Sequence, residues 1–351
     1  MSQTDLSQWL AGHPAALADV ILRIADGCAE ISRSCARGAI AGLHGVAGAS
    51  NSQGEVQKML DVLSDQCLSR AMAECPHIAA WASEEQADVT VSEEHGSAGP
   101  YLAVFDPLDG SSNIEANISF GTIFSVLPHL FRGTPASAAA FMQPGRRQVA
   151  AGYAVYGPAT MLVLSLGDGV HMFTLDPDDR SGSGRWVLTR ESVQVPAATT
   201  EFAINASNQR HWEKPVQRYV AECLAGESGP RALDFNMRWV ASLVAEVHRI
   251  FSRGGVFLYP RDTKQPYKPG RLRLMYEAAP MAWLMEQAGA SGSTGTSPLL
   301  DLVPDSLHQK VPVMLGSRDE VARLVAYHED PSENVSRQLF KTRSLFIQPN
   351  A

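Results

Sequence analysis

Apolar positions recur at helical spacing through Leu17, Val20, Ile21, Ile24, Cys28, Ile31 and Cys35, which predicts a long amphipathic helix near the start of the chain. Gly38, Gly42, Gly45, Gly48 and Gly54, interleaved with alanine and serine, break that rhythm and predict a loop. The helical period returns at Leu63, Cys67, Leu68, Ala71 and Met72, a second helix capped near Ser64 or Asp65, with Glu55 and Asp61 flanking its start. Two strand-sized apolar runs follow, 78–82 and 101–105. Each stops at acid, the first at Ser83-Glu84-Glu85 and the second at Asp106, as a buried strand does when it ends at a polar site. Runs at 122–127, 149–156, 160–166 and 170–174 predict a sheet, with surface turns at Asp176-Pro177-Asp178-Asp179 and Ser181-Gly182-Ser183-Gly184.

A polar, proline-containing stretch at 196–200 marks the expected boundary between an N-terminal domain, 1–195, and a C-terminal domain, 196–351. Beyond it a strand at 202–204 and apolar runs at 256–259 and 311–315 alternate with helical patterns around 212–224, 239–250, 275–288 and 321–327. That alternation predicts an α/β arrangement. A length of 351 residues exceeds what one core usually serves, so two domains are expected on size as well.

Hydrophobic residues at 45% and charged residues at 19% predict a chain that folds throughout. The net charge of -8, without a Lys/Arg-rich run, argues against nucleic acid or an anionic membrane as partner. An anionic substrate remains open to it, given a local cationic pocket or a metal ion. No stretch approaches the roughly 20 apolar residues of a membrane span, and the amino terminus lacks the pattern of an export signal, so a cytoplasmic location is expected. Five cysteines form no CxxC or ligand pattern, and their odd number predicts reduced thiols; Cys28 and Cys35, one heptad apart, read as core packing.

The densest chemistry lies in Asp106-Pro107-Leu108-Asp109-Gly110-Ser111-Ser112-Asn113. Pro107 fixes its own φ and donates no hydrogen bond, so the chain is expected to leave the sheet sharply and let both aspartates converge. Hard cations such as Mg²⁺ take carboxylate and carbonyl oxygens. Gly110 permits close backbone approach to a ligand, and Ser111, Ser112 and Asn113 open a helix whose N–H groups face an anion. This spacing alone stands between an ordinary Asx/Pro turn and a cation site. Glu55, Asp61 and the Glu84-Glu85 pair, all at element ends before it, shift the balance, because clustered carboxylates need neutralising.

Ser83-Glu84-Glu85, Phe105 through Ile114, Gly121-Thr122-Ile123-Phe124, Gly254 through Pro260 and Gly270 through Met281 together resemble class I fructose-1,6-bisphosphatases, bacterial in type, in collinear order from about Ile40 to Leu315. Inositol monophosphatases share Asp-Pro-x-Asp-Gly but continue with Thr-Thr-Asn. The resemblance implies a two-domain layered α-β-α-β-α sandwich of the sugar phosphatase type, assembled as a homotetramer. It implies metal-dependent hydrolysis of the 1-phosphate of fructose 1,6-bisphosphate, in gluconeogenesis or the Calvin cycle, with Mg²⁺ or Mn²⁺ as cofactor.

Residue by residue, the resemblance implies metal ligands Asp106, Asp109 and Glu277 at one position and Glu84, Asp106 and the Leu108 carbonyl at a second. Glu55 stands in for a family Asp near a third. Asp61 with Glu85 would orient and deprotonate the attacking water, and the backbone of Gly110, Ser111 and Ser112 would hold the transferring phosphoryl group. Asn205, Arg238, Trp239, Tyr259 and Arg271 would bind the second phosphate, Arg238 across a subunit boundary, with Trp239 in place of a Tyr and Arg271 in place of a frequent Lys. Arg273 either stabilises phosphate charge or forms a salt bridge to an acidic ligand.

The family's AMP-binding features are poor here: residues 13–18 lack a phosphate-binding hydroxyl, and the Lys-Tyr pair reads Pro100-Tyr101, so AMP inhibition should be weak or absent. No cysteine lies between Cys75 and Cys223, which argues against thioredoxin-type control. Two alternatives remain at this stage, a sedoheptulose 1,7-bisphosphatase and a noncatalytic sugar-phosphate sensor; the intact acidic set speaks against the sensor.

Overall fold

The computed structural model describes residues 4–43, 45–50, 56–178, 184–264 and 267–330. Among these residues the chain forms eight α-helices: α1 (Leu6–Leu10), α2 (Ala15–Ala36), α3 (Met59–Ala73), α4 (Ala138–Phe141), α5 (Lys214–Leu224), α6 (Leu243–Arg253), α7 (Ala279–Gln287) and α8 (Arg318–Glu329). An eight-stranded sheet runs in the order Trp186–Arg190, His171–Leu175, Thr160–Ser165, Ala150–Tyr156, Phe120–Pro128, Tyr101–Asp109, Ile78–Ser83 and Thr90–Val91. Neighbours are antiparallel except Ile78–Ser83 and Tyr101–Asp109, which run parallel. A five-stranded sheet follows the order Asn236–Met237, Glu201–Ile204, Val256–Tyr259, Val313–Gly316 and Ser291–Ser293, its first three strands parallel.

Strand periodicity sorts the side chains into layers, since successive residues face opposite sides of a sheet. In Ala150–Tyr156, Ala154 and Tyr156 join α2 and α3 in one core, whereas Tyr153 and Val155 join α6 and α7 in another. In the second sheet Ala203, Phe257, Val313 and Leu315 face that same α6–α7 layer, and Phe202, Val256, Leu258 and Met314 pack with α5 and α8. The result is a layered sandwich, helix, sheet, helix, sheet, helix. The middle layer is apolar on both faces: Val247, Ile250, Met281, Leu284 and Met285 are all 0% exposed. Each such side chain contributes about 1.5–3 kcal/mol through burial.

A strand, Val46–Ser50, forms inside the expected loop, and the expected run 311–315 divides between two sheets; four further boundaries differ from the sequence expectation, each for a local reason. The strand does not end at Asp106 but continues through Pro107 to Asp109. A bulge accommodates the proline: Asp106 pairs with Ile123 and Asp109 with Gly121, so one strand carries an extra residue where a missing N–H costs no ladder bond. Helix α3 begins at Met59 rather than near Ser64, because the Asp61 carboxylate accepts the Lys58 N–H at 2.8 Å and satisfies the first turn. Helix α6 starts at Leu243 and leaves Trp239 outside it, since Ser242 caps Ala245 N at 3.3 Å and the Glu246 carboxylate takes the Val240 N–H at 2.6 Å. The expected helix at 275–288 opens as a π-turn, Leu274–Ala278, before α7. Pro280 has no N–H for the Tyr276 carbonyl, and the Ala279 N–H reaches back five residues to Leu274. The short α1 was not anticipated, although Asp5 and Gln8 form a capping box that signals it.

Cys28 is buried and Cys35 half-buried, both in helix α2. Between α6 and the first sheet, His248 Nδ1 lies 3.0 Å from the Tyr153 hydroxyl. Burial, reinforced by the Arg190 charge, pushes the His248 pKa down from 6.5 to about 4. Between those values the unfolded chain binds a proton that the native chain refuses, so this contribution to stability is complete above pH 6.5 and is lost as pH falls toward 4. Urea unfolding at pH 7 and pH 5 should show a loss on the order of 1 kcal/mol that His248→Gln abolishes.

Candidate active site

The parallel pairing of Ile78–Ser83 with Tyr101–Asp109 sets Ser83 beside Phe105. The next residues, Glu84 just past its strand and Asp106 within the longer one, therefore lie side by side, and Glu84 N donates to Phe105 O at 3.1 Å. The π-turn brings Glu277 to the same place, so that oxygens of Glu84, Asp106 and Glu277 lie within 4.8 Å of one another. Unit charges of one sign at that separation repel by about 3.5 kcal/mol at an effective dielectric of about 20. Burial first, then the charges of Glu84, Asp109 and Glu277, push the Asp106 pKa well above the usual carboxylate range. Burial followed by Glu84 does the same to Glu277.

Fixed donors hold this arrangement against its own repulsion. Asp109 Oδ2 accepts from Ser242 Oγ and from Val244 N, both at 2.8 Å, although burial still raises its pKa. Asp106 Oδ1 accepts from Leu108 N at 3.0 Å, and Glu277 Oε2 from Arg273 N at 2.5 Å. The Arg273 guanidinium, 5% exposed, ion-pairs with Glu84. Of the two readings of Arg273, the structure thus displays the salt bridge to an acidic residue. An all-oxygen set of crowded carboxylates fits a hard divalent cation, which would relieve the repulsion that protonation otherwise relieves.

Asp61 sits in the first turn of α3 and Lys58 Nζ donates to Ser111 O at 3.0 Å, tying that turn to the Gly110–Asn113 loop. Burial raises the Asp61 pKa, opposed by the Lys58 N–H and by Ser111. Gly110 has φ of +75°, and a Cβ there would lie 2.6 Å from Ser242 Cβ. That contact is what brings Ser242 onto Asp109. Ser111–Asn113 forms a single 3₁₀ turn in place of a longer helix. Glu85 follows Glu84, its N–H donating to Ser83 Oγ at 3.3 Å. Glu55 lies outside the described residues.

The remaining expected residues gather at one end of the second sheet. Its first three strands are parallel, so Asn205, Arg238 and Tyr259 stand at or just beyond their carboxyl ends. Trp239 stacks on Phe257 with centroids 6.1 Å apart and lies 6.3 Å from the Tyr259 ring. Burial raises the Tyr259 pKa, Arg271 lowers it and Glu277 raises it, so Tyr259 lies within electrostatic reach of both charges. Arg271 pairs with Asp262 at 3.1 Å, Arg238 with Glu201 at 3.6 Å, and the Asn205 side chain caps Ser207 N at 3.2 Å. Sequence reasoning missed Lys58, Ser242 and the Val244 N–H, which position Asp61, Ser111 and Asp109. Only Ser242 carried a signal, as a helix cap.

Fold and site define a phosphatase of the layered α/β sandwich class. Models of the fructose-1-6-bisphosphatase N-terminal and C-terminal domains match residues 5–191 and 195–329. A fructose-1,6-bisphosphatase class 1 from Methylibium petroleiphilum is 74% identical over 351 residues, covering 100% of both chains. The crystal structure of Leishmania major fructose-1,6-bisphosphatase in holo form superposes with a TM-score of 0.87 at 34% identity, covering 94% of this chain and 100% of that one. Its apo form gives 0.81 at 32% identity, with the same coverage. The chain belongs to the fructose-1-6-bisphosphatase family.

Two outcomes follow from this geometry. Gly110→Ala should cost about 1–3 kcal/mol in urea unfolding and lower phosphate release at least tenfold, because Ala strains the left-handed backbone and displaces Ser242. Asp106→Asn should be more stable to urea unfolding than the parent by on the order of 1 kcal/mol at pH 8 without divalent cation, since it removes a buried like charge. Added Mn²⁺ should raise the melting temperature of the parent and leave that of the variant unchanged.

Proposed function

We propose that this chain hydrolyses the 1-phosphate of fructose 1,6-bisphosphate, giving fructose 6-phosphate and phosphate, with Mg²⁺ or Mn²⁺ as cofactor. The observation that carries the reading is the triad of carboxylate oxygens within 4.8 Å on a chain of this family. Glu84, Asp106, Asp109, Glu277 and the Leu108 carbonyl would hold the cations, with Glu55 near a further one. When bound, a cation supplies positive charge to the phosphate and leaving oxygens. Asp61, whose raised pKa suits a base, would take the proton of the attacking water with Glu85 orienting it. The Gly110, Ser111 and Ser112 N–H groups would receive the transferring phosphoryl oxygens.

Asn205, Trp239, Tyr259 and Arg271 would bind the second phosphate, with Arg238 reaching a neighbouring subunit of a homotetramer. Arg273, held on Glu84 and Glu277, would act near the reacting phosphate by fixing its ligands. The division at 195/196 would then separate the segment bearing Glu84 and Asp106 from that bearing Glu277 and the distal groups. No helix among the described residues is long and apolar enough to cross a membrane, and a cytoplasmic location fits the reading.

Phosphate release from fructose 1,6-bisphosphate should require Mg²⁺ or Mn²⁺, exceed release from sedoheptulose 1,7-bisphosphate, and persist with AMP present. A purified chain that binds the bisphosphate without releasing phosphate would instead be a sensor. A sharp micromolar AMP response would defeat the regulatory part of the reading.

A further inference from the structure

The loop that carries Glu84 and Glu85 is fastened from its own side by α3 and by strand Thr90–Val91. Ser83 Oγ donates to Asp65 Oδ1 at 2.5 Å, Gln86 Nε2 to Asp65 Oδ2 at 2.9 Å and Ser69 Oγ at 3.2 Å, and Thr90 Oγ1 to Gln86 Oε1 at 2.8 Å. A further fastening crosses from a distant part of the chain. His308 Nε2 lies 2.9 Å from the Gln86 carbonyl oxygen, and because a carbonyl only accepts, Nε2 carries the proton. The same imidazole packs on the Tyr276 ring, with centroids 5.3 Å apart.

Tyr276 immediately precedes Glu277 in the π-turn. The segment around His308 is itself bound to that turn, since Leu274 N donates to Gln309 O at 2.8 Å and Lys310 pairs with Arg273 in a short antiparallel ladder. One ring therefore touches both the loop bearing Glu84 and the turn bearing Glu277, the two carboxylates of the cluster that the first sheet does not itself carry. We infer that His308 is a positioning residue, whose hydrogen bond to the Gln86 carbonyl sets the spacing between Glu84 and Glu277 and so the affinity of the cluster for a divalent cation. The inference rests on Glu84, Asp106 and Glu277 being cation ligands. Groups bonded directly to the ligands typically govern about 10–100-fold in metal affinity, because Mg²⁺-like ions demand near-ideal ligand distances; His308 acts through Gln86 and Tyr276, the neighbours of the ligands, which puts its share at the low end.

The test is Mn²⁺ binding to the full chain, followed by electron paramagnetic resonance, for the parent, His308→Leu and His308→Gln, with thermal melts alongside. His308→Leu keeps an apolar side chain against Tyr276 and lacks a donor; His308→Gln retains an N–H for the carbonyl. The expected result is Mn²⁺ affinity weakened about tenfold in the Leu variant and restored to within about threefold by Gln, while the two variants melt alike. Equal Mn²⁺ affinity in the two variants, whether parental or weakened in step with melting temperature, would overturn the positioning role. A parent chain that binds no Mn²⁺ would overturn the ligand assignment beneath it.

Discussion

The fold is organised around a repulsion. Glu84, Asp106 and Glu277 are brought together where burial strips away most of the water that would screen them, and every nearby device serves to keep them there. The parallel strand pair sets two of them side by side, the π-turn delivers the third, and Ser242, Val244 N and Arg273 anchor oxygens of the surrounding carboxylates. Such a cluster is expensive to fold without a counter-charge and effective once one arrives, which is the logic of a cation centre. The sandwich supplies the stiffness: the α6–α7 layer is apolar on both faces, so the ends of the two sheets cannot drift relative to one another without opening a packed core.

The same architecture puts the distal groups at a defined separation from the acids. Asn205, Arg238 and Tyr259 share the carboxyl ends of three parallel strands, and Tyr259 feels both Arg271 and Glu277. On the proposed reading, a ligand charged at both ends would meet the carboxylate cluster at one end and Arg271 at the other. Arg271 is engaged by Asp262 and Arg238 by Glu201, which restrains both side chains.

Most strands and the α/β class were legible because period-2 and period-3.6 patterns follow directly from which face is buried, whereas the layer order came only with the family resemblance. Asp106, Asp109 and Glu84 stood out as acids at strand ends, and Glu277 joined them only through the family resemblance. The places that escaped were those where one hydrogen bond overrides a pattern: Asp61 starting α3 early, Ser242 and Glu246 delaying α6 until after Trp239, and Pro280 converting a helical start into a π-turn. Ties such as Lys58 to Ser111 or His308 to Gln86 join residues far apart in the chain, and no local pattern encodes them.

The bulge at Pro107 settles a question of parity. In an unbroken strand, residues three apart face opposite sides of the sheet, so Asp106 and Asp109 would be divided between two layers. The inserted residue changes an odd separation into an even one: their partners, Ile123 and Gly121, are two apart and share a face. Regular pairing of the same residues, without the bulge, would keep both carboxylates in the chain and yet turn one of them into the wrong layer.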